Sequence, residues 1–193
     1  SQGLISSRGA VDLGVSGAFI NQGGTLVGDG AILLTANSLD NSNGAVSGKA
    51  DVTANIAALD NRNGKLIASS ALALSGASVD NRLNGLVGAT KALTLDVDVI
   101  DNRGGELSSS ADIRLTGKRL NNSDSGKLLA DTTLTLEMAE VLNRNLGLLK
   151  GKTGVTLDGQ ALDNTGGQLF SDQDARLTLG ADLDNSAGLI SSE

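Results

Sequence analysis

One short phrase recurs from end to end of the chain. Leu-Asp-Asn or a close variant is followed within a few residues by a glycine and an apolar residue, as in "LDNSNGAVSG", "LDNRNGKLIAS" and "LDNTGGQLFS". The asparagine that closes the triplet lies 20 or 21 residues from its counterpart in the next copy, at Asn21, Asn41, Asn61, Asn81, Asn102, Asn122, Asn143, Asn164 and Asn185. A period this short cannot bury its own apolar side chains, so it predicts a solenoid of stacked coils.

Three apolar columns recur in each period. One follows the glycine, at Leu4, Leu26, Val46, Leu66, Leu86, Leu107, Leu128, Leu148, Leu169 and Leu189, and another precedes the aspartate, as at Leu59 and Val79. Between them lies a short apolar-x-apolar run such as "LTL" at Leu93. Alternation with a period of two predicts strands, and the runs lack both the length and the i, i+3, i+4 pattern of helices.

These features predict an all-β fold, a right-handed parallel β-helix of about nine coils, with 20–21 residues and three short strands per coil. Each strand would pair with its counterpart in the next coil, and the right-handed coil follows the general preference of parallel crossovers. A leucine-rich repeat would place asparagine sooner after its Leu-x-Leu pair than Asn81 follows Leu74. We expect residues 1–193 to be a single β-helical segment excerpted from a longer array, because the chain begins at Ser1 inside the pattern.

The asparagine column is predicted to form a structural ladder. A carboxamide donates and accepts hydrogen bonds, so identical side chains stacked through successive coils can bond one another. The glycine that follows is expected to supply a backbone angle that other residues resist.

The aspartate before each asparagine forms a second column, at Asp40, Asp60, Asp80, Asp101, Asp163 and Asp184. Carboxylates about 5 Å apart repel one another unless they are neutralised. Arg62, Arg82 and Arg103 lie two positions after an aspartate and could interleave with the column. Turn formation and ion pairing are the favoured roles, a calcium ladder is the alternative, and no metal or other cofactor is expected.

Composition excludes several classes of function. The chain has no His and no Cys, which excludes Ser-His-Asp and Cys-His catalysis and zinc sites that need imidazole or thiolate. A regular aspartate ladder gives glycosidase-like carboxylate separations by geometry alone, and the near-constant period leaves no loop to wall a substrate cleft. We therefore predict that the segment is not an enzyme.

The same composition bears on partners. A net charge of -7 and 1% aromatic residues disfavour nucleic acid, and no stretch is long enough for a membrane span. The outward residues of the central runs include Thr94, Thr135, Thr156 and Thr178, which ordinary strand propensity explains.

The phrases "LDNRNGKLIAS", "IDNRGGELSSS" and "LDNTGGQLFS", each followed by an "ALTL"-like run, resemble the haemagglutinin repeats of filamentous haemagglutinins and contact-dependent growth inhibition effectors. The resemblance covers essentially the whole chain and departs at "VLNRNLG", where Leu142 replaces the aspartate, and at "NNSDSGKL". It implies a filament or stalk segment of a very large exoprotein, secreted by a Gram-negative bacterium through a two-partner system and displayed at the cell surface.

The implied partners are neighbouring coils of the same filament, the outer-membrane transporter of the secretion system, and a host or target-cell receptor. Two hypotheses follow. The segment is a spacer that projects a distal adhesive, receptor-binding or toxin region, or the rod is itself an adhesin surface that binds glycan or a host or target-cell protein. The spacer is favoured because the chain lacks the aromatic residues on which sugars usually stack.

Overall fold

The computed structural model describes residues 3–193, and this part of the chain contains strands but no helix. The strands form two parallel sheets in which each neighbour lies one coil further along the chain. The prediction of an all-β parallel β-helix of about nine coils is thereby confirmed, whereas its right-handed coil stays a prediction. No helix of the described residues is long and apolar enough to cross a membrane.

The first sheet, here called the narrow sheet, has ten strands of four residues each. They are β1 (Leu4–Ser7), β3 (Thr25–Gly28), β5 (Ala45–Gly48), β7 (Lys65–Ala68), β9 (Leu86–Ala89), β11 (Glu106–Ser109), β13 (Lys127–Ala130), β15 (Leu148–Gly151), β18 (Gln168–Ser171) and β21 (Leu189–Ser192). One side chain near the middle of each inner strand is fully buried, for example Leu66 in β7 and Leu107 in β11.

The second sheet, here called the broad sheet, contains the longer strands. They are β2 (Val11–Ile20), β4 (Ile32–Asp40), β6 (Val52–Asp60), β8 (Leu72–Asp80), β10 (Leu93–Asp101), β12 (Ile113–Asn121), β14 (Thr133–Leu142), β16 (Gly154–Gly159), β17 (Ala161–Asp163), β19 (Asp174–Leu179) and β20 (Leu183–Asp184).

The division of each coil into strands differs from the predicted three short strands. In β6 the side chains of Val52, Ala54 and Ile56 are buried, and the next buried side chain is Leu59. Two consecutive outward residues interrupt the alternation, so the strand bends there while its ladder continues. The second and third predicted strands are therefore two arms of one bent strand, and they separate only near the end of the chain, at β16 and β17 and at β19 and β20.

The apolar column of the narrow sheet also differs from the sequence assignment at four places. Val87 and Leu149, rather than Leu86 and Leu148, pair in register with the buried leucines of the neighbouring coils. The same one-residue shift places Ile5 and Ile190 in the column in place of Leu4 and Leu189. In each case two adjacent residues are apolar, so the pattern alone could not identify the inward one, and Leu86 and Leu148 point outward.

Candidate functional site

The asparagine column lies at the corner where each broad-sheet strand ends and a tight turn leads into the narrow sheet. From Asn21 to Asn164 these side chains are at most 6% exposed, and Asn185 at the last coil is exposed. From Asn21 to Asn164, each Nδ2 donates to Oδ1 of the asparagine in the next coil at 2.7 or 2.8 Å. The structure thus brings all nine predicted ladder residues into one continuous hydrogen-bonded row.

Most of these amides also bond backbone carbonyls on both sides of the corner; Asn41 bonds only that of the next coil and Asn185 only that of its own turn. Asn81 Nδ2 donates to the carbonyl of Gly85 in its own turn at 2.9 Å and to that of Glu106 in the next coil at 3.1 Å. The backbone amide of Asn81 donates to the carbonyl of Asp101 at 2.8 Å. No buried side-chain nitrogen or oxygen of residues 3–193 lacks a partner. The ladder therefore satisfies polar groups that would otherwise be costly to bury.

The turns after the asparagines occur in two lengths. The shorter turn has one residue with positive φ before its glycine, such as Asn63 at 54° or Gly104 at 63°. The longer turn has two, as at Leu83 (57°) and Asn84 (64°). The additional residue in "NRLNG", "NSDSG" and "NRNLG" is evident in the sequence. The sequence did not show that it adds a second residue with positive φ to the turn. It places Leu83 and Leu146 at the corner, where they are 62% and 69% exposed.

The glycine that ends each turn is required by space and not by backbone angle. A β-carbon on Gly64 would collide with the carbonyl oxygen of Asn41 in the preceding coil and lie 2.7 Å from Asn61 Oδ1. The φ of Gly64 is not positive, because the left-handed residue of this turn is Asn63. The expectation that the glycine supplies an unusual angle is therefore wrong for the glycine that ends the turn, whose role is to let two coils approach closely. It holds only where another glycine precedes that one, at Gly23, Gly104 and Gly166.

The aspartate column and the arginines interleave as the sequence predicted. Asp60 Oδ1 accepts from the backbone amide of Arg62 at 3.1 Å, which closes the turn, and Asp60 Oδ2 lies 2.5 Å from Arg62 Nη2. Arg62 Nε lies 3.7 Å from Asp80 Oδ2 in the next coil. Arg82 likewise lies between Asp80 and Asp101, whereas Arg103 pairs with Asp101 alone because the next coil has Asn121 in the column. The repulsion among the carboxylates from Asp60 to Asp101 is thereby offset.

The departure at Leu142 changes the pairing in that coil. Arg144 has no acid two residues before it, and its Nη2 instead lies 2.5 Å from Asp163 Oδ2 in the next coil. Sequence reasoning missed this pair, because the partner lies across a coil boundary. Burial raises the pKa of Asp163, but hydrogen bonds from Arg144 and Thr165 outweigh it and hold the pKa below its ordinary value.

The same ion pairs set the protonation of the other column members. The hydrogen bond from Arg62 lowers the pKa of Asp60. For Asp101, burial raises the pKa, and the hydrogen bonds and charge of Arg103 more than reverse that effect. Within residues 3–193 no group of three or more acidic side chains is placed to hold a metal ion.

The outward threonines do not form a continuous array. Thr94, Thr135 and Thr156 share one column of the broad sheet, with Arg114 between the first two. Thr178 was assigned to this column from the sequence, but it pairs with Asp158, two positions further along its strand. Arg114 in turn pairs with Glu137 at 2.6 Å, so charged side chains interrupt the row.

Comparison with known families gives one result. The family model described as "Haemagglutinin repeat" matches residues 1–43, 37–83, 73–137 and 121–187. No curated protein and no solved structure matches the chain. The four stretches together extend over almost the whole length of the rod.

Proposed function

The chain belongs to the haemagglutinin-repeat family, and on that premise we propose that it is a shaft segment which projects a distal adhesive, receptor-binding or toxin region of a much larger exoprotein. The family and the β-solenoid together indicate a structural, adhesin-like stalk of a secreted, cell-surface protein.

The observation that carries the proposal is that the ladder bonds run from one coil to the next. The asparagine bonds join residues 20 or 21 positions apart, and the strand pairs have the same spacing. Each coil therefore adds one strand spacing of about 4.8 Å, so nine coils extend about 45 Å. The length of the rod therefore grows in proportion to the number of coils, and each coil needs contacts only with its two neighbours.

Export through the outer-membrane transporter of a two-partner system of a Gram-negative bacterium is the second part of the proposal. The chain has no Cys and no Pro, so its folding waits for neither disulfide formation nor prolyl isomerisation. A chain that emerges in an unfolded state can add coils one at a time, each on the edge of the last. The parent protein is a filamentous haemagglutinin or a contact-dependent growth inhibition effector, and the shaft serves either in the same way.

The proposal includes that this segment does not catalyse a reaction. Asp60, Asp101 and Asp163 have lowered pKa values, and their carboxylates bind neighbouring guanidinium groups. A general acid needs the opposite arrangement, in which burial without a cationic partner raises the pKa.

The alternative is a rod whose own face binds glycan or a protein of the host or target cell. A screen of the segment against a glycan array and intact cells, with and without calcium, separates the two functions. The spacer predicts no saturable binding. It also predicts that a tandem fusion keeping the 20-residue spacing across the junction doubles the rod length in small-angle X-ray scattering.

Saturable binding that is lost in a Thr135→Ala, Thr156→Ala variant would favour the adhesive rod and contradict the spacer. The matched control is Thr25→Ala, since Thr25 lies outward on the other sheet. A tandem fusion that does not lengthen would contradict the additive shaft.

A further inference from the structure

The outward face of the narrow sheet has a pattern that the fold does not require. Each strand turns its first and third side chains outward, as Lys65 and Ile67 do in β7, while Leu66 and Ala68 are buried. We call the outward residues from β7 to β18 the narrow-sheet face. It contains three lysines and one glutamate on a protein whose net charge is -7, so it is a basic strip on an acidic rod.

The first outward column reads symmetrically about its centre. Leu86, Glu106, Lys127 and Leu148 pair in register one after another, and the order is apolar, acidic, basic, apolar. Neither Glu106 nor Lys127 forms an ion pair with another described residue, in contrast to the arginines of the corner. Two opposite charges at the centre are thus free to pair outside the molecule.

We propose that the narrow-sheet face binds the same face of a second copy of this chain, with the two rods antiparallel. The two-fold axis lies parallel to the strands, between β11 and β13. It brings Glu106 opposite the partner's Lys127 and Leu86 opposite the partner's Leu148, and each contact occurs twice. We infer that a second copy binds this face because the column, read in the opposite direction, places a basic residue opposite the acidic one and an apolar residue opposite each apolar one.

The third residues of the strands support the same axis independently. Ile67 in β7 faces the partner's Phe170, which is one of two aromatic residues in the chain. Gly88 in β9 lies opposite the partner's Lys150, so the one outward position without a side chain meets a long one. Lys150 Nζ also lies 3.7 Å from Asp172 Oδ1 of its own chain. A β-carbon on Gly88 would meet only ordinary contacts, the nearest 3.6 Å away at Ser108 Oγ. Packing within the chain therefore does not require glycine there, and although neighbouring side chains cover the Gly88 backbone, a side chain at this position would project toward the partner's Lys150.

Other placements of a two-fold axis are less favourable. An axis through β11 would bring Glu106 against its own copy, and an axis through β13 would do the same for Lys127. An axis between β9 and β11 would place Lys65 opposite the partner's Lys127. Like charges face each other in all three cases, which is unfavourable at close range.

The size of the face sets the strength of the pairing. Six strands at about 4.8 Å and four residues at about 3.3 Å give on the order of 400 Å² per copy, which is at the weak end for a specific interface. The isolated segment should therefore pair weakly, with a dissociation constant of about 0.1–1 mM. In a long shaft, which is the proposed function, repeated contacts would strengthen the association. The pairing of the segment itself does not depend on that function.

Sedimentation equilibrium of the segment at concentrations up to about 1 mM tests the proposal. Wild type should approach a dimer. Glu106→Lys places a lysine opposite the partner's Lys127 and should weaken association at least tenfold. The double variant Glu106→Lys, Lys127→Glu restores the opposite charges and should restore the dimer. Glu137→Lys is the matched control, because Glu137 lies on the broad sheet, and it should leave association unchanged.

Cross-linking tests the orientation. The chain has no Cys, so a mixture of the Lys65→Cys and Gln168→Cys proteins, whose cysteines the axis places opposite each other, can be joined by a bismaleimide of about 10 Å, the spacing of packed sheets. Two copies of the same variant would hold their cysteines about 26 Å apart, because β7 and β18 are separated by five strand spacings. Mixed dimers should exceed the dimers of either protein alone. The proposal would be overturned if the wild type were strictly monomeric. It would also be overturned if Glu106→Lys did not weaken association, as expected for end-to-end stacking of coils. Cross-linking of each protein with itself as efficiently as with the other protein would overturn it too.

Discussion

Asn81 donates its Nδ2 hydrogen to Oδ1 of Asn102 in the next coil at 2.7 Å, and neither side chain is exposed to solvent. Asn102 Nδ2 in turn donates to Oδ1 of Asn122 at 2.7 Å, so every amide in the row points in one direction. Because each amide is a donor to one neighbour and an acceptor for the other, the loss of one member removes a hydrogen bond from both neighbours.

Asn102→Ala should lower the free energy of unfolding by about 3 kcal/mol. The substitution leaves the buried Nδ2 of Asn81 and Oδ1 of Asn122 each short of a partner, at about 1–3 kcal/mol apiece. Urea unfolding followed by circular dichroism measures the change. Asn55→Ala is the control, since Asn55 is exposed on the broad sheet, and it should change stability by less than about 0.5 kcal/mol. Equal effects of the two substitutions would contradict a stabilising ladder.

Substitution by asparagine should leave stability nearly unchanged at Gly104 and lower it strongly at Gly105. Gly104 has a φ of +63°, and its β-carbon would meet nothing closer than 3.6 Å. Asparagine tolerates this conformation and occupies the corresponding position in other turns, so Gly104→Asn should be within about 0.5 kcal/mol of wild type. Gly105→Asn would collide with the carbonyl of Asn81 and should cost more than about 3 kcal/mol. Thermal unfolding of the two variants provides the comparison, and similar midpoints would refute the close-approach role.

Leu83→Asn should raise stability by about 0.5–1 kcal/mol. A leucine at a φ of 57° is strained, and at 62% exposure it loses little burial on replacement. The control is Leu33→Asn, an exposed leucine inside strand β4, where asparagine should be neutral or slightly destabilising. Melting temperatures decide the matter, and a destabilised Leu83→Asn would show that the leucine has a contact of its own.

The aspartate column should make stability fall in acid. The folded-state pKa of Asp101 lies below its ordinary value because of Arg103. The contribution of this pair is therefore complete above the unfolded pKa of about 3.9 and is lost as pH falls through the lower folded value. Urea midpoints from pH 7 to pH 2 should decline below about pH 4.

Asp101→Asn tests the origin of that decline. Asparagine occurs naturally in the column at Asn121, where its Oδ1 accepts from the amide of Ser123, so the turn should survive. The variant should lose about 1 kcal/mol or less at neutral pH, because the pair is partly exposed. Its acid decline should also be shallower, and an unchanged slope would assign the decline to other groups.

The repeat spacing by itself determined the class of fold. Asparagines 20 or 21 residues apart and short apolar alternations leave no room for helices, and stacking is the way such a period can bury its leucines. The same spacing placed Arg62, Arg82 and Arg103 beside the aspartates, because both residues lie in one short turn. The resemblance to haemagglutinin repeats was confirmed, since the family model matches stretches that together extend from residue 1 to residue 187.

Only the tertiary structure decided the contacts between coils. Alternation along one strand cannot say whether Leu86 or Val87 points inward when both are apolar, and the register with β7 and β11 settles it. The sequence pattern also could not show that a carbonyl of the preceding coil approaches Gly64 and so requires glycine there. Nor could it show that Arg144 reaches Asp163. The physical reason is that sequence spacing determines which residues share a coil, whereas the strand register between coils determines which atoms meet.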